Sequence, residues 1–301
     1  MSRTAKWILG IGVALCGFIA LFVISVLSIM GTSDDSDDVP SFSGDRVALV
    51  ELNEPIFSSG EIVRQLKKYR HNRGVKAIVF RIESPGGGVS ASQEIYEEVK
   101  KTRDSGTPVV VSMGSVAASG GYYVACGADK IVANPGTLTG SIGVIFQFLQ
   151  FEDLMKKLGV EASTFKSGEL KDIGSPFRKT TPQERAYFQQ LVEDVYQQFV
   201  DVVAKERKLK ESFVRKYADG RVFSGRQAVA WGFVDTLGTY EDAIAIAGTM
   251  GGIRGTPKTI REYKRRTFLQ DLMGETVTDL ERMKDEFLHQ SALQYRMRTP
   301  Y

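Results

Sequence analysis

Cysteine and histidine are both scarce in this 301-residue sequence: Cys16 and Cys126 are the two cysteines, His71 and His289 the two histidines. So few cysteines exclude a disulfide framework and any cysteine-based metal site. The histidines are poorly placed for a Ser-His-Asp triad. His71 lies in a charged turn before a strand, and His289 lies in a charged C-terminal stretch. Neither sign of charge dominates. The formal net charge is +3 with acids and bases interspersed, so no basic face for nucleic acid stands out. G-x-G-x-x-G spacing is absent, and so is a G-x-x-x-x-G-K-[ST] loop, which removes the dinucleotide and nucleotide-phosphate fingerprints. No internal repeat is visible, and no cofactor or metal is called for.

What is present begins with an apolar run. Trp7 to Met30 carries no charge, and as a helix it exceeds the roughly 30 Å hydrocarbon core of a bilayer. Arg3 and Lys6 precede it, and Asp34, Asp35, Asp37 and Asp38 follow. The positive-inside rule then puts residues 1–6 in the cytoplasm and the rest of the chain outside. The run is long for a signal-peptide core, and Ser28-Ile29-Met30 is not a small-x-small cleavage site, so 7–30 is expected to be a transmembrane anchor. Residues 31–44 are acidic and Ser-rich and read as a flexible linker.

The globular part starts near residue 45. Strands are expected over 47–52, 75–82, 108–112 and 130–133, with helices over 61–69 and 90–102 between them. Strands alternating with helices indicate an α/β domain with a mostly parallel sheet. The longest helical pattern runs from Thr181 to Lys208. Thr181 is placed to cap it, Pro182 suits its first turn, and Glu184 completes a capping-box spacing. Beyond residue 252 the composition becomes charged, with helical spacing from Glu275 to Leu288. This tail, 253–301, is expected to sit outside the core or to cross to a partner.

Two Gly-rich turns carry the chemistry. Strand 75–82 runs into Glu83-Ser84-Pro85-Gly86-Gly87-Gly88. Strand 108–112 runs into Gly114-Ser115-Val116-Ala117-Ala118-Ser119-Gly120-Gly121, with helix-compatible sequence from Tyr122 to Cys126. In open α/β sheets ligands bind beyond the carboxyl ends of the strands. Small residues there let a substrate backbone approach, and the N–H of Gly86 or Gly87 can meet that of Gly120 as an oxyanion hole beside Ser119. Ser119 needs a base, and with histidine disfavoured a lysine is the remaining common choice. Such a lysine must be neutral, which requires its pKa to fall from ~10.4 toward neutrality by desolvation. The stretch from Lys166 to Pro176 offers Lys166 and Lys171, and spacing alone does not choose between them.

As a set these segments resemble the signal peptide peptidase A family. The resemblance is carried by Ser-Pro-Gly-Gly-Gly (84–88), Gly-Ser-Val-Ala-Ala-Ser-Gly-Gly-Tyr-Tyr (114–123), Ala-Asp-Lys-Ile-Val-Ala (128–133) and Leu-Thr-Gly-Ser-Ile-Gly-Val (138–144). Lys-Ser-Gly-Glu-Leu-Lys-Asp-Ile-Gly-Ser-Pro (166–176) and Asp-Gly-Arg-Val-Phe-Ser-Gly-Arg-Gln-Ala (219–228) extend it, and Gly232-Phe233-Val234-Asp235 closes it. The anchor and the tail lie outside the match.

The resemblance implies a Clp-protease/crotonase-like fold over residues 45–252 and a Ser/Lys peptidase. Ser119 falls on the family's nucleophile, Lys171 on its general base, and Ser141 on the serine that orients the lysine. It also implies cleaved signal peptides and other apolar peptides as substrates. The serine and lysine of one site would come from adjacent copies of the domain, so a single-domain chain would self-assemble, as a ring. Two rivals remain. A crotonase-type acyl-thioester enzyme uses similar oxyanion amides but needs cytoplasmic coenzyme A and no serine nucleophile. A membrane scaffold would recruit partners without catalysis.

Overall fold

A computed structural model describes residue 17, residues 44–262 and residues 294–297. The apolar run 7–30, residues 31–43 of the linker and the helical stretch expected over 275–288 lie outside the described residues. Among the described residues no helix is long and apolar enough to cross a membrane.

In chain order, β1 (Arg46–Leu52) leads through α1 (Gly60–Arg70) to β2 (Val75–Ser84) and the short β3 (Gly86–Gly88). Then follow α2 (Val89–Asp104), β4 (Val109–Ala118), α3 (Gly120–Ala125), β5 (Lys130–Ala133) and β6 (Leu138–Gly140). A helical arm comes next, with α4 (Glu152–Leu158), a 3-10 turn (Glu169–Asp172) and the long α5 (Pro182–Arg207). The last elements are α6 (Glu211–Tyr217), β7 (Val222–Ser224), α7 (Gly225–Ala230), β8 (Thr236–Leu237), α8 (Tyr240–Met250), β9 (Lys258–Arg261) and β10 (Gln294–Arg296).

The main sheet runs β7-β6-β4-β2-β1-β9, with β5 and β8 continuing from β4. Its pairings are parallel except β6 with β7. Burial on both faces explains the apolar strands. Along β1, Ala48, Val50 and Leu52 enter the larger core cluster, while Val47 and Leu49 face a second cluster with Ala243, Ile244 and Ala247 of α8. The period of two in a strand produces this split. At the head of α5 the Thr181 hydroxyl accepts from the Glu184 N–H, and the Glu184 carboxylate accepts from the Thr181 N–H. The capping box read from the sequence is therefore formed.

Two features differ from the sequence expectation. Strand β4 continues to Ala118 instead of ending near Ser112, because neighbours on both sides supply ladder partners: Ser84 of β2 opposes Ala117, and β6 pairs with Val116–Ala118. Two described pieces of the stretch beyond residue 252 also join the domain. Lys258–Arg261 extends the sheet beside β1, and Tyr295 is fully buried.

Candidate active site

Ser119 sits between the end of β4 and the start of α3, with φ 53° and ψ −117°. A non-glycine residue there is strained. Its N–H donates to the Gly140 carbonyl at 2.8 Å, and its carbonyl accepts from Tyr123 N–H at 2.8 Å. These bonds hold the strained turn from both sides. Ser119 is 1% exposed. Its hydroxyl makes no hydrogen bond among the described residues, yet its Oγ is not one of the polar atoms sealed from solvent.

Gly86, Gly87 and Gly120, expected from the sequence to form an oxyanion hole, lie close together. A Cβ placed on Gly120 would lie 3.2 Å from both Gly86 Cα and Gly87 N, and one on Gly86 would lie 2.6 Å from Gly120 N. Side chains at either position would push these backbones apart. Gly86 has φ +96° and Gly87 is buried, so larger residues would not fit here. The Gly86 N–H donates to Ser84 Oγ at 3.2 Å within the loop. Ser92, in the first turn of α2, secures the loop by donating its hydroxyl to the Gly88 carbonyl at 2.8 Å.

Ser141 directly follows Gly140, the residue that binds the Ser119 N–H. It too has a left-handed backbone, φ 50°, and its N–H donates to Arg221 O at 2.8 Å. Of three non-glycine residues with positive φ among the described ones, two are therefore Ser119 and Ser141. Ser141 lines a cavity of about 840 Å³ together with Ile145, Val192, Tyr196, Val222, Arg296 and Met297.

The two lysines separate clearly. Lys166 Nζ donates to Asp172 Oδ1 at 2.7 Å and to the Glu169 carbonyl at 2.9 Å. Asp172 also accepts from Arg178, whose guanidinium bonds Glu184 in turn. Hydrogen bonds from Arg178 and then Lys166 hold the Asp172 carboxyl well below the usual carboxylate range. The Arg178 bond likewise draws Glu184 down to about 2. Lys171 lies in the middle of this segment, exposed, and its side chain has no hydrogen-bond or ion-pair partner among the described residues. Within one chain, then, neither Ser119 nor Lys171 bonds to the other.

A further occupant was not legible in the sequence. β10 pairs antiparallel with β3, with Tyr295 opposite Gly87 and Arg296 opposite Gly86. Its other edge bridges Ile145, where Gln294 N–H donates to Ile145 O and Ile145 N–H to Gln294 O, each at 3.1 Å. A three-residue strand thus lies between Gly86–Gly88 and the segment after Ser141. Its Tyr295 side chain stacks on Tyr123 at 5.2 Å, meets Phe199 at 4.7 Å, and donates its hydroxyl to Val195 O at 3.1 Å. A strand this short has too little sequence to declare itself.

Residues 101–253 match peptidase family S49, and residues 46–137 match Clp protease. An Enterococcus faecium protein named for signal peptide peptidase SppA is 36% identical over 260 residues, covering 86% of this chain and 72% of that one. The chain belongs to peptidase family S49. A Synechocystis protein named as a protease is 43% identical over 210 residues, 69% of this chain and 75% of its own. Protease 4 of Salmonella typhi is 36% identical over 230 residues, which are 73% of this chain but 37% of that longer protein. The chain is thus a serine peptidase of the S49 family on a Clp-protease-like α/β fold.

Proposed function

We propose that the chain is a membrane-anchored endopeptidase in which Ser119 of one subunit is activated by Lys171 of another. The carrying observation is β10. The groove between Gly86–Gly88 and Ile145 already holds an extended segment bonded on both edges, which is how a sheet edge takes up a peptide. A substrate strand in its place would bring backbone carbonyls to the Gly86–Gly87 and Gly120 amides. The aromatic pocket that encloses Tyr295 favours apolar and aromatic side chains.

In this reading Lys171, neutral, removes the Ser119 hydroxyl proton as Oγ attacks the scissile carbonyl. The N–H groups of Gly120 and of Gly86 or Gly87 stabilise the resulting oxyanion. Lys171 then returns the proton to the leaving amine, leaving an acyl-Ser119 that water hydrolyses with the lysine again as base. Ser141 accepts a hydrogen bond from Lys171 and sets its direction. A free hydroxyl on one side and an unpartnered lysine on the other, within one chain, support supply from a neighbour in a ring. The uncharged run 7–30 would hold that ring on the outer face of the cell membrane, near the apolar remnants of cleaved signal peptides.

The test is complementation. Ser119→Ala and Lys171→Ala chains should each be inactive. Unfolded together and refolded, they should regain activity at about one quarter of directed interfaces, because each partner is intact half the time in a heterologous ring. Confirmed mixing with no recovery would refute the shared site.

A further inference from the structure

Strand β4 does not run evenly beside β2. Ile82 opposes Met113 and Ser84 opposes Ala117, so two steps along β2 span four along β4. The surplus lies at Gly114–Val116, a bulge in which the N–H groups of Ser115 and Val116 turn to a side-chain acceptor. Here β4 also changes neighbours, leaving β5 after Met113 and joining β6 from Val116.

Glu83 fills the gap. Its Oε2 accepts from Ser115 N–H at 2.7 Å and its Oε1 from Val116 N–H at 3.0 Å. The carboxylate sits where a Cβ on Gly114 would collide with it, so the bulge closes only around glycine. On the other side the Thr137 hydroxyl donates to Gly114 O at 2.7 Å, and the Thr139 hydroxyl to Ala117 O at 2.6 Å. Arg81 donates to Ser112 Oγ at 2.8 Å and Met113 O at 3.2 Å.

We infer that Glu83 is a positioning residue for the peptidase reaction, setting the separation between nucleophile and oxyanion hole. This rests on Ser119 being the nucleophile. Glu83 lies three residues before Gly86, and the amides it binds lie three and four residues before Ser119. One side chain therefore ties the strand that delivers the oxyanion loop to the strand that delivers the serine. Two charge-assisted bonds fix that link. The reaction depends on the distance from Oγ to the carbonyl held by the amides, which is the quantity the clamp controls.

The test is the rate at which a fluorophosphonate probe labels Ser119 in the full-length protein, with the site located by mass spectrometry. Glu83→Gln keeps the size but turns an NH2 donor toward one N–H, breaking half of the clamp. Its kinact should fall roughly ten- to a hundredfold while KI stays within about twofold. Glu83→Asp keeps two acceptor oxygens on a shorter stem and should recover part of the rate. Thermal unfolding and ring size should match the wild type in both. An unchanged kinact in Glu83→Gln overturns the inference and leaves the serine assignment standing. A loss that only follows the unfolded fraction, or that moves KI equally, makes Glu83 a general structural residue and overturns it too. If Glu83→Gln does not fold, an unchanged kinact in Glu83→Asp is the overturning result. No labelling of Ser119 in the wild type would remove the serine assignment and this inference together.

Discussion

Replacing Tyr295 by alanine tests whether the strand it anchors competes with substrate. The side chain is fully buried, ringed by Tyr123 and Phe199, and its hydroxyl donates to Val195 O. Truncating a buried aromatic costs about 3–5 kcal/mol. Part of that loss would fall on the seating of β10, since Tyr295 is its buried anchor. Loss of about 3 kcal/mol from the seating lowers the docked-to-undocked ratio roughly a hundredfold. A substrate that needs the groove empty has an apparent affinity reduced by the fraction of sites that are open. The expected result is therefore a fall in KM for an apolar reporter peptide, levelling off once the groove is mostly free, with kcat unchanged. Tyr295→Phe removes only the hydroxyl bond, about 1 kcal/mol, and should give a smaller shift in the same direction. Hydrogen exchange at residues 294–297 should report the undocking directly. If exchange shows β10 released while KM is unmoved, substrate does not use this groove. If KM rises, Tyr295 builds the site instead of occupying it.

Lys171→Arg should abolish activity, because guanidinium stays protonated, while Lys166→Ala should stay within several-fold of wild type in kcat/KM; the opposite pattern in reporter-peptide assays would exchange their roles. The carboxyls of Asp172 and Glu184 are held below their ordinary values chiefly by hydrogen bonds from Arg178. Because these values are lowered in the folded chain, their support for the lysine-bearing segment is complete above the ordinary Glu value of 4.5 and is lost as pH falls toward about 2. Peptic cleavage within 160–180 should accordingly rise across that window; a flat profile would show that the network does not hold the segment.

Much of the architecture is written locally. The capping residues Thr181 and Glu184 and the alternation of apolar strands with helices need no distant partner to be read. What escapes the sequence is set by distant partners. β4 runs on through small residues because β2 and β6 flank it, and β10 is a strand because Gly87 and Ile145 offer it edges. Ser119 stood out as a candidate residue but not by its conformation: nothing in Ala118-Ser119-Gly120 announces φ 53° at the serine instead of at the glycine beside it. The choice between the two lysines was likewise closed to spacing. The ion pair that occupies Lys166 and leaves Lys171 unpartnered follows from where Asp172 and Arg178 come to lie.

The position of Lys171 bears on when such an enzyme would be active. An ammonium group in water has no proton vacancy to offer a serine, and deprotonating it requires removal from solvent next to neutral or donor groups. In a single chain Lys171 stands in solvent on an arm whose Phe165 is 99% exposed and whose Leu158 is 68% exposed. Apolar surface of that kind is covered by association. The same event that buries the arm would dehydrate the lysine and carry it to a serine whose hydroxyl is otherwise unbonded. Proteolysis would then begin with assembly on the membrane. A chain not yet assembled would hold a strained serine, closely set Gly86, Gly87 and Gly120, and a groove occupied by its own β10, with Lys171 unbonded to Ser119.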